Sequence, residues 1–362
     1  MQEIKIIRFL SHFLFLIILN SCANIVAPSG GEKDVSAPEI QDITVIEKSN
    51  IKIIKFKFDE YIQLNQWEKN FYISPPIKNI IKKEIKGKTL VLTIKDSLNS
   101  NLTYYISLNY CIKDNNEGNI LEKLDYLYSF SKKPDSLSLR GKLIDAFSLN
   151  AEKNSWVMLF NDKTNDSLLF KQNPNYVAKT DENGFFYFPN LKEENYKIIS
   201  LNDLDFIYDN KEKIAFGDSL LNAKKDSFIT LYSFNPECVD SASNIIDTTK
   251  KPNITLDSIN KNESQLLGHL LISTNYNSSC IFQLLQNDKI VYSRSFTTMP
   301  FSINNITPGK YNLKFIADYN QDKIWNTGDW NKKIQPEKVK KYPNEIIIRG
   351  NWDLELEWII EE

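Results

Sequence analysis

Glycine is scarce, with 11 residues in a chain of 362. Tight turns must therefore fall largely to Asn and Asp, which tolerate the left-handed backbone region. Arginine is scarcer still, at four of the 44 basic residues, and the net charge is −2. That balance provides no basic field for nucleic acid and no acidic field to steer cations. Histidine occurs only as His12 and His269. A histidine base needs a partner nucleophile in a recognisable setting, whereas His269 stands beside Leu270 and Leu271 and reads as a satisfied strand residue. The chain has no G-x-S-x-G, H-E-x-x-H, phosphate-loop or dinucleotide glycine pattern. Acidic pairs such as Asp59-Glu60 obey no spacing rule that marks a glycosidase. These absences point away from an enzyme. No segment keeps a 3.6-residue apolar period, so helices are not expected.

Hydrophobic residues at 42% and charged residues at 25% are ordinary for folded protein, and the length accommodates two or three cores. The first residues, MQEIKIIRFLSHFLFLIILNSC, are weakly basic and then apolar from Phe9 to Leu19. That run is short for a bilayer span and ends in small residues, so it reads as an export signal over residues 1–21. Leu19-Asn20-Ser21-Cys22 resembles a bacterial lipobox, which implies acylation of Cys22 and a membrane anchor. Each buried CH₂ of such an anchor adds ~0.8 kcal/mol. Residues 22–37 are a polar, Pro- and Gly-containing tether. No acidic run resembling the surface-export signal of some lipoproteins follows Cys22 directly. The expectation is therefore a lipid-anchored outer-membrane protein facing the periplasm, with exposure at the cell surface as the alternative. Without Cys22, three cysteines remain, Cys111, Cys238 and Cys280. They form neither a disulfide framework nor a zinc spacing, leaving one bridge or three free thiols.

From Ile40 onward, IKIIKFKF (51–58), TLVLTI (89–94), TYYISL (103–108) and YLYSF (126–130) alternate with period two between turn-rich stretches. Such strands build an antiparallel sandwich. Together CANIVAPSGGEKD, FDEYIQL, YISPP and IKDNNEGNIL resemble the Ig-like lipoproteins of the Bacteroidetes type, which implies an SbsA-like Ig-like domain over 38–133. Residues 134–237, with Asp181-Glu182-Asn183-Gly184 expected as a hairpin turn, resemble a carboxypeptidase-regulatory or prealbumin-like sandwich. Residues 238–262 are a polar linker, and strands resume over 263–362 as a third sandwich. The second and third modules align as distant copies, with Tyr196 on Tyr311 and Leu191 on Ile306. The expected fold class is all-β, as tandem antiparallel sandwiches.

DYNQDKIWNTGD, residues 318–329, spaces oxygen-bearing side chains as a calcium loop does. Asp318, Asn320, Asp322, the carbonyl of Ile324, Asn326 and Asp329 would be the ligands, as the spacing of dockerin and EF-hand loops, which it resembles, implies. Lys323 stands where those loops place glycine, and the preceding segment is strand-like. The other reading, towards which the missing glycine tips the balance, is an Asx-rich loop that caps its own backbone. Asp-Ser/Thr pairs at Ser241, Thr248 and Ser258 resemble the O-glycosylation motif of the same bacterial group. Trp358 is expected in a core, with Trp325 and Trp330 either there or on a sugar platform. The partners implied are the membrane and an envelope protein or glycan. Function is expected to be structural or binding, with an accessory subunit of an envelope complex, or a carbohydrate-binding or hydrolytic protein, as alternatives.

Overall fold

The computed structural model describes residues 32–361, except 49–50, 78–80, 96–97, 131–132, 167–168, 203–206, 210 and 238–265. Strand alternation governs the first unit. In Ile51–Phe58, Lys52, Ile54, Phe56 and Phe58 are buried, and every second side chain faces the core. This strand pairs with Ile40–Lys48 and Thr89–Ile94, and the latter with Ile81–Lys86. A second sheet runs Asp125–Ser129, Thr103–Ser107, Tyr72–Ser74. Ile54, Phe56, Leu90, Leu92, Tyr104 and Ile106 fill the space between the two. A small third sheet joins Ile62–Leu64, Ile112–Asp114 and Ile120–Leu121.

The second and third units share one topology. In the second, Leu137–Asp145 lies between Phe185–Leu191 and Phe228–Ser233, over a sheet ordered Tyr176–Lys179, Trp156–Asn161, Asn195–Leu201, Ile214–Phe216. In the third, Gly268–Thr274 lies between Phe301–Ile306 and Asp353–Trp358, over Lys289–Phe296, Cys280–Gln286, Gly309–Ala317, Val339–Lys341. The pairing read from the sequence holds in detail. Leu191 and Ile306 each end the strand beside the first one, and each tyrosine, Tyr196 or Tyr311, donates to the carbonyl four residues earlier.

The chain is thus all-β, a tandem of sandwiches. One departure recurs: the first and last strands of the second and third units pair in parallel. A parallel pair needs a long crossover, and here the whole intervening unit provides it. At Gly141 a Cβ would come within 2.4 Å of the Ile229 carbonyl on that parallel partner, so only glycine fits there.

Turns follow the shortage of glycine. Six of the twelve non-glycine residues with positive φ among the described residues are Asn or Asp. Asn287 and Asp288, both left-handed, close the two-residue hairpin between Cys280–Gln286 and Lys289–Phe296. The turn at 181–184 is different from the hairpin expected there. Its flanking strands, Tyr176–Lys179 and Phe185–Leu191, pair with other strands in separate sheets, so it carries the chain across the sandwich. Gly184 alone supplies the positive φ, and the Asp181 carboxylate accepts the N–H groups of Asn183 and Phe185.

Candidate functional site

The apolar run WVMLF in the strand Trp156–Asn161 is buried at all five positions, more than a sandwich core requires. Val157 and Leu159 enter the core of the second unit. Trp156, Met158 and Phe160 face the other way, into a second apolar layer with Ile199, Leu201, Phe216, Phe234 and Trp330. Trp330 belongs to the third unit. Its indole meets the rings of Phe216 at 5.2 Å and Phe170 at 5.4 Å. Gln335 donates to the Phe216 carbonyl and to Asp218, and Thr327 donates to the Asn235 carbonyl.

The second unit reciprocates. Phe147 and Leu149 cover the outer side of the third unit's sheet at Ile281, Ile316 and Val339, beside Trp325. Asp145 fixes the turn that carries them, accepting the N–H groups of Phe147 and Ser148 and pairing with Lys213 at 2.8 Å. Burial alone would push the Asp145 carboxyl up. The Lys213 ammonium and the Ser148 donors outweigh it and hold the group below the usual carboxylate value. The first unit meets the second at the same outer layer, where Tyr72 packs edge-on against Trp156 and Val177 N–H donates to Ser74 Oγ.

At this junction lies the segment 318–337. Asp318 is 1% exposed, and its Oδ2 accepts from Ser279 Oγ at 2.9 Å and from Lys323 N–H at 3.3 Å. Asp318 Oδ1 and Asn326 Oδ1 are buried and receive no hydrogen bond from the protein. Asp322 accepts the side-chain amides of Asn320 and Asn326 through Oδ2 and the Ile324 N–H through Oδ1. Lys323 takes φ +70°, so the backbone makes the turn for which glycine would be usual, and its side chain is exposed. Asp329 is engaged elsewhere: it pairs its backbone with Ile334, caps the Lys332 N–H and forms an ion pair with Lys332 at 3.1 Å.

Glu337, eight residues beyond Asp329, also reaches this loop. It is 5% exposed, and its two oxygens accept the N–H groups of Tyr319 and Asn326, at 2.8 and 2.9 Å. Burial, together with the neighbouring charges of Asp318 and Asp322 and against those two donors, pushes its carboxyl up to about 7. No spacing rule in the sequence singles out Glu337. Among the described residues, no three His, Cys, Asp or Glu side chains are gathered at metal-ligating spacing.

The other predicted positions are simply placed. Cys22, Ser241, Thr248, Ser258 and Cys238 lie outside the described residues. Cys111 and Cys280 are free and buried in separate cores. His269 Nδ1 is 3.1 Å from Asn304 Oδ1, a satisfied strand histidine. Trp358 lies in the third core. Trp330 is buried in the junction and Trp325 packs against it partly buried, while Trp352 is exposed. Asp59 accepts the Glu39 N–H.

The first unit, two facing sheets over a single core, has a counterpart. Residues 27–132 match the bacterial Ig-like domain family. This supports the Ig-like domain expected at that end of the chain. No curated protein matches the chain. Among solved structures, the major pilin subunit BcpA of Bacillus cereus is similar at 13% identity and TM-score 0.20, over 55% of this chain and 70% of that one. The group B streptococcus pilus 2b backbone protein is similar at 11% and 0.18, over 53% and 96%. The MG0-NIE-MG1 domains of Escherichia coli alpha-2-macroglobulin are similar at 8% and 0.22, over 78% and 94%. At such scores no residue of this chain can be equated with one of theirs.

Proposed function

We propose that the chain is a lipoprotein of the bacterial envelope, anchored at the outer membrane through acylated Cys22 and acting without catalysis as a structural or binding module. One observation carries this reading. The apolar layers outside the sandwich cores are spent on joining one unit to the next, through Trp330 on one side and Phe147 on the other. Units joined over apolar layers make a stiff spacer that holds its far end away from the anchor. The Ig-like match over residues 27–132 supports a structural role. In this reading the second and third units are carboxypeptidase-regulatory or prealbumin-like modules, the body faces the periplasm, and Ser241, Thr248 and Ser258 carry glycans in a linker.

A second reading, an accessory subunit that docks an envelope protein, is favoured by one exposed face. Phe185, Tyr187, Phe228 and Tyr232 remain open on the second unit's smaller sheet, interleaved with Arg140 and Lys142. Membrane fractionation and intact mass of the native protein test the anchor. Native protein should sediment with outer membranes and carry acyl mass, and Cys22→Ala should release it. Release of the unaltered protein into the soluble fraction would end the proposal.

A further inference from the structure

Independently of how the chain is anchored, the segment 318–337 has the features of an ion site. Asp318 and Glu337 both bind the backbone of the same short loop, Asp318 through Lys323 N–H and Glu337 through Tyr319 and Asn326 N–H. Two buried oxygens, Asp318 Oδ1 and Asn326 Oδ1, have no donor from the protein. A buried acceptor left in that state keeps its desolvation cost uncompensated, the more so when charged, so an unmatched pair on one loop calls for a cationic or donor partner. Asp322 adds a third negative charge beside Glu337. None of these three carboxylates forms an ion pair with Lys or Arg among the described residues.

We propose that this loop binds a hard divalent cation of the calcium class, held by Asp318, Asn326 and Glu337, with Asp322 drawn in from the loop surface. The donors are all oxygen, as calcium prefers, and they come from an irregular loop able to adjust to six to eight ligands with help from carbonyls and water. Two carboxylates and an amide form the fixed part. The left-handed turns at Gln321 and Lys323 fold the loop around them without glycine. Glu337, not Asp329, is the closing carboxylate. The ion also has a structural consequence. The loop carries Trp325, whose Nε1–H donates to the Glu337 carbonyl and whose ring lies against Phe147 of the second unit. Fixing Glu337 therefore fixes the junction.

The test is isothermal titration and thermal melting of the whole purified protein, stripped with chelator and then given calcium. Calcium should bind at a single site and raise the melting temperature by several degrees. Glu337→Gln and Asp318→Asn should weaken binding by more than the roughly 10–100-fold that loss of a mere supporting partner costs. Asp329→Asn should bind as the unaltered protein does. If the buried variants fail to fold, Asp322→Asn, at an exposed side chain, should still weaken binding. No heat and no shift at millimolar calcium would overturn the proposal. Loss of binding in Asp329→Asn with retention in Glu337→Gln would overturn it equally.

Discussion

Lys314 of the third sandwich donates its ammonium to the carbonyl of Phe147 in the second, 3.0 Å away, and also lies 4.0 Å from the centre of the Phe147 ring. The lysine is 6% exposed. A buried ammonium persists only where acceptors and a π face replace its water. The two sandwiches are therefore joined by matched polar and aromatic contacts as well as by apolar area.

Removing the indole that covers the opposite side of that junction should be costly. Trp330→Ala strips the outer layer over Phe216 and Phe170 and should lower stability by about 3 kcal/mol. Urea unfolding reads the loss, and limited proteolysis should cut between the second and third units. An unchanged midpoint would mean that the junction contributes nothing to folding.

Acid should act through Asp114. This residue is 1% exposed and accepts the N–H groups of Asn116, Glu117, Gly118 and Asn119. Burial pushes its carboxyl up, but the four donors prevail and hold it below its ordinary value of 3.8. A carboxyl depressed by folding adds stability above the unfolded value, and this is lost as pH falls from there through the folded value. Asp114→Asn should thus be less stable than the unaltered protein at neutral pH, and the gap should close below pH 3.8. Denaturant midpoints measured from neutral to strongly acid pH check this. A gap that does not vary with pH would remove the carboxylate from the account.

The two core thiols should be silent. Burial pushes Cys111 and Cys280 up to about 12, so little thiolate exists near neutrality. In a chain with Cys22 and Cys238 replaced by serine, a thiol reagent at pH 8 should react only as fast as the protein opens. Both sites should become reactive together with loss of structure in denaturant. Rapid labelling of the native form would contradict the packing around both residues.

Much of the fold could be read directly from residue order. IKIIKFKF and TLVLTI became strands at the bounds quoted for them, and in the first every second side chain is buried, because a period of two turns alternate residues to one face. The shared topology of the last two units was visible as Tyr196 over Tyr311 and Leu191 over Ile306. Scarce glycine foretold the left-handed Asn and Asp residues at turns.

Periodicity reports that a side chain is buried but not what buries it, so WVMLF gave no hint that its outer face meets Trp330. Asp181 to Gly184 looks like a hairpin locally, yet the sheet that each flanking strand joins depends on partners far along the chain. Glu337 shows the same limit most sharply. It follows the loop at no motif spacing, and only the return of the chain towards Val339–Lys341 brings its carboxylate to the N–H groups of Tyr319 and Asn326. Strand and turn chemistry act between neighbours and are written in residue order. Which groups share a buried site is decided by closure of the sheets, so only the structure shows Glu337 on the backbone of this loop and Asp329 turned to Lys332.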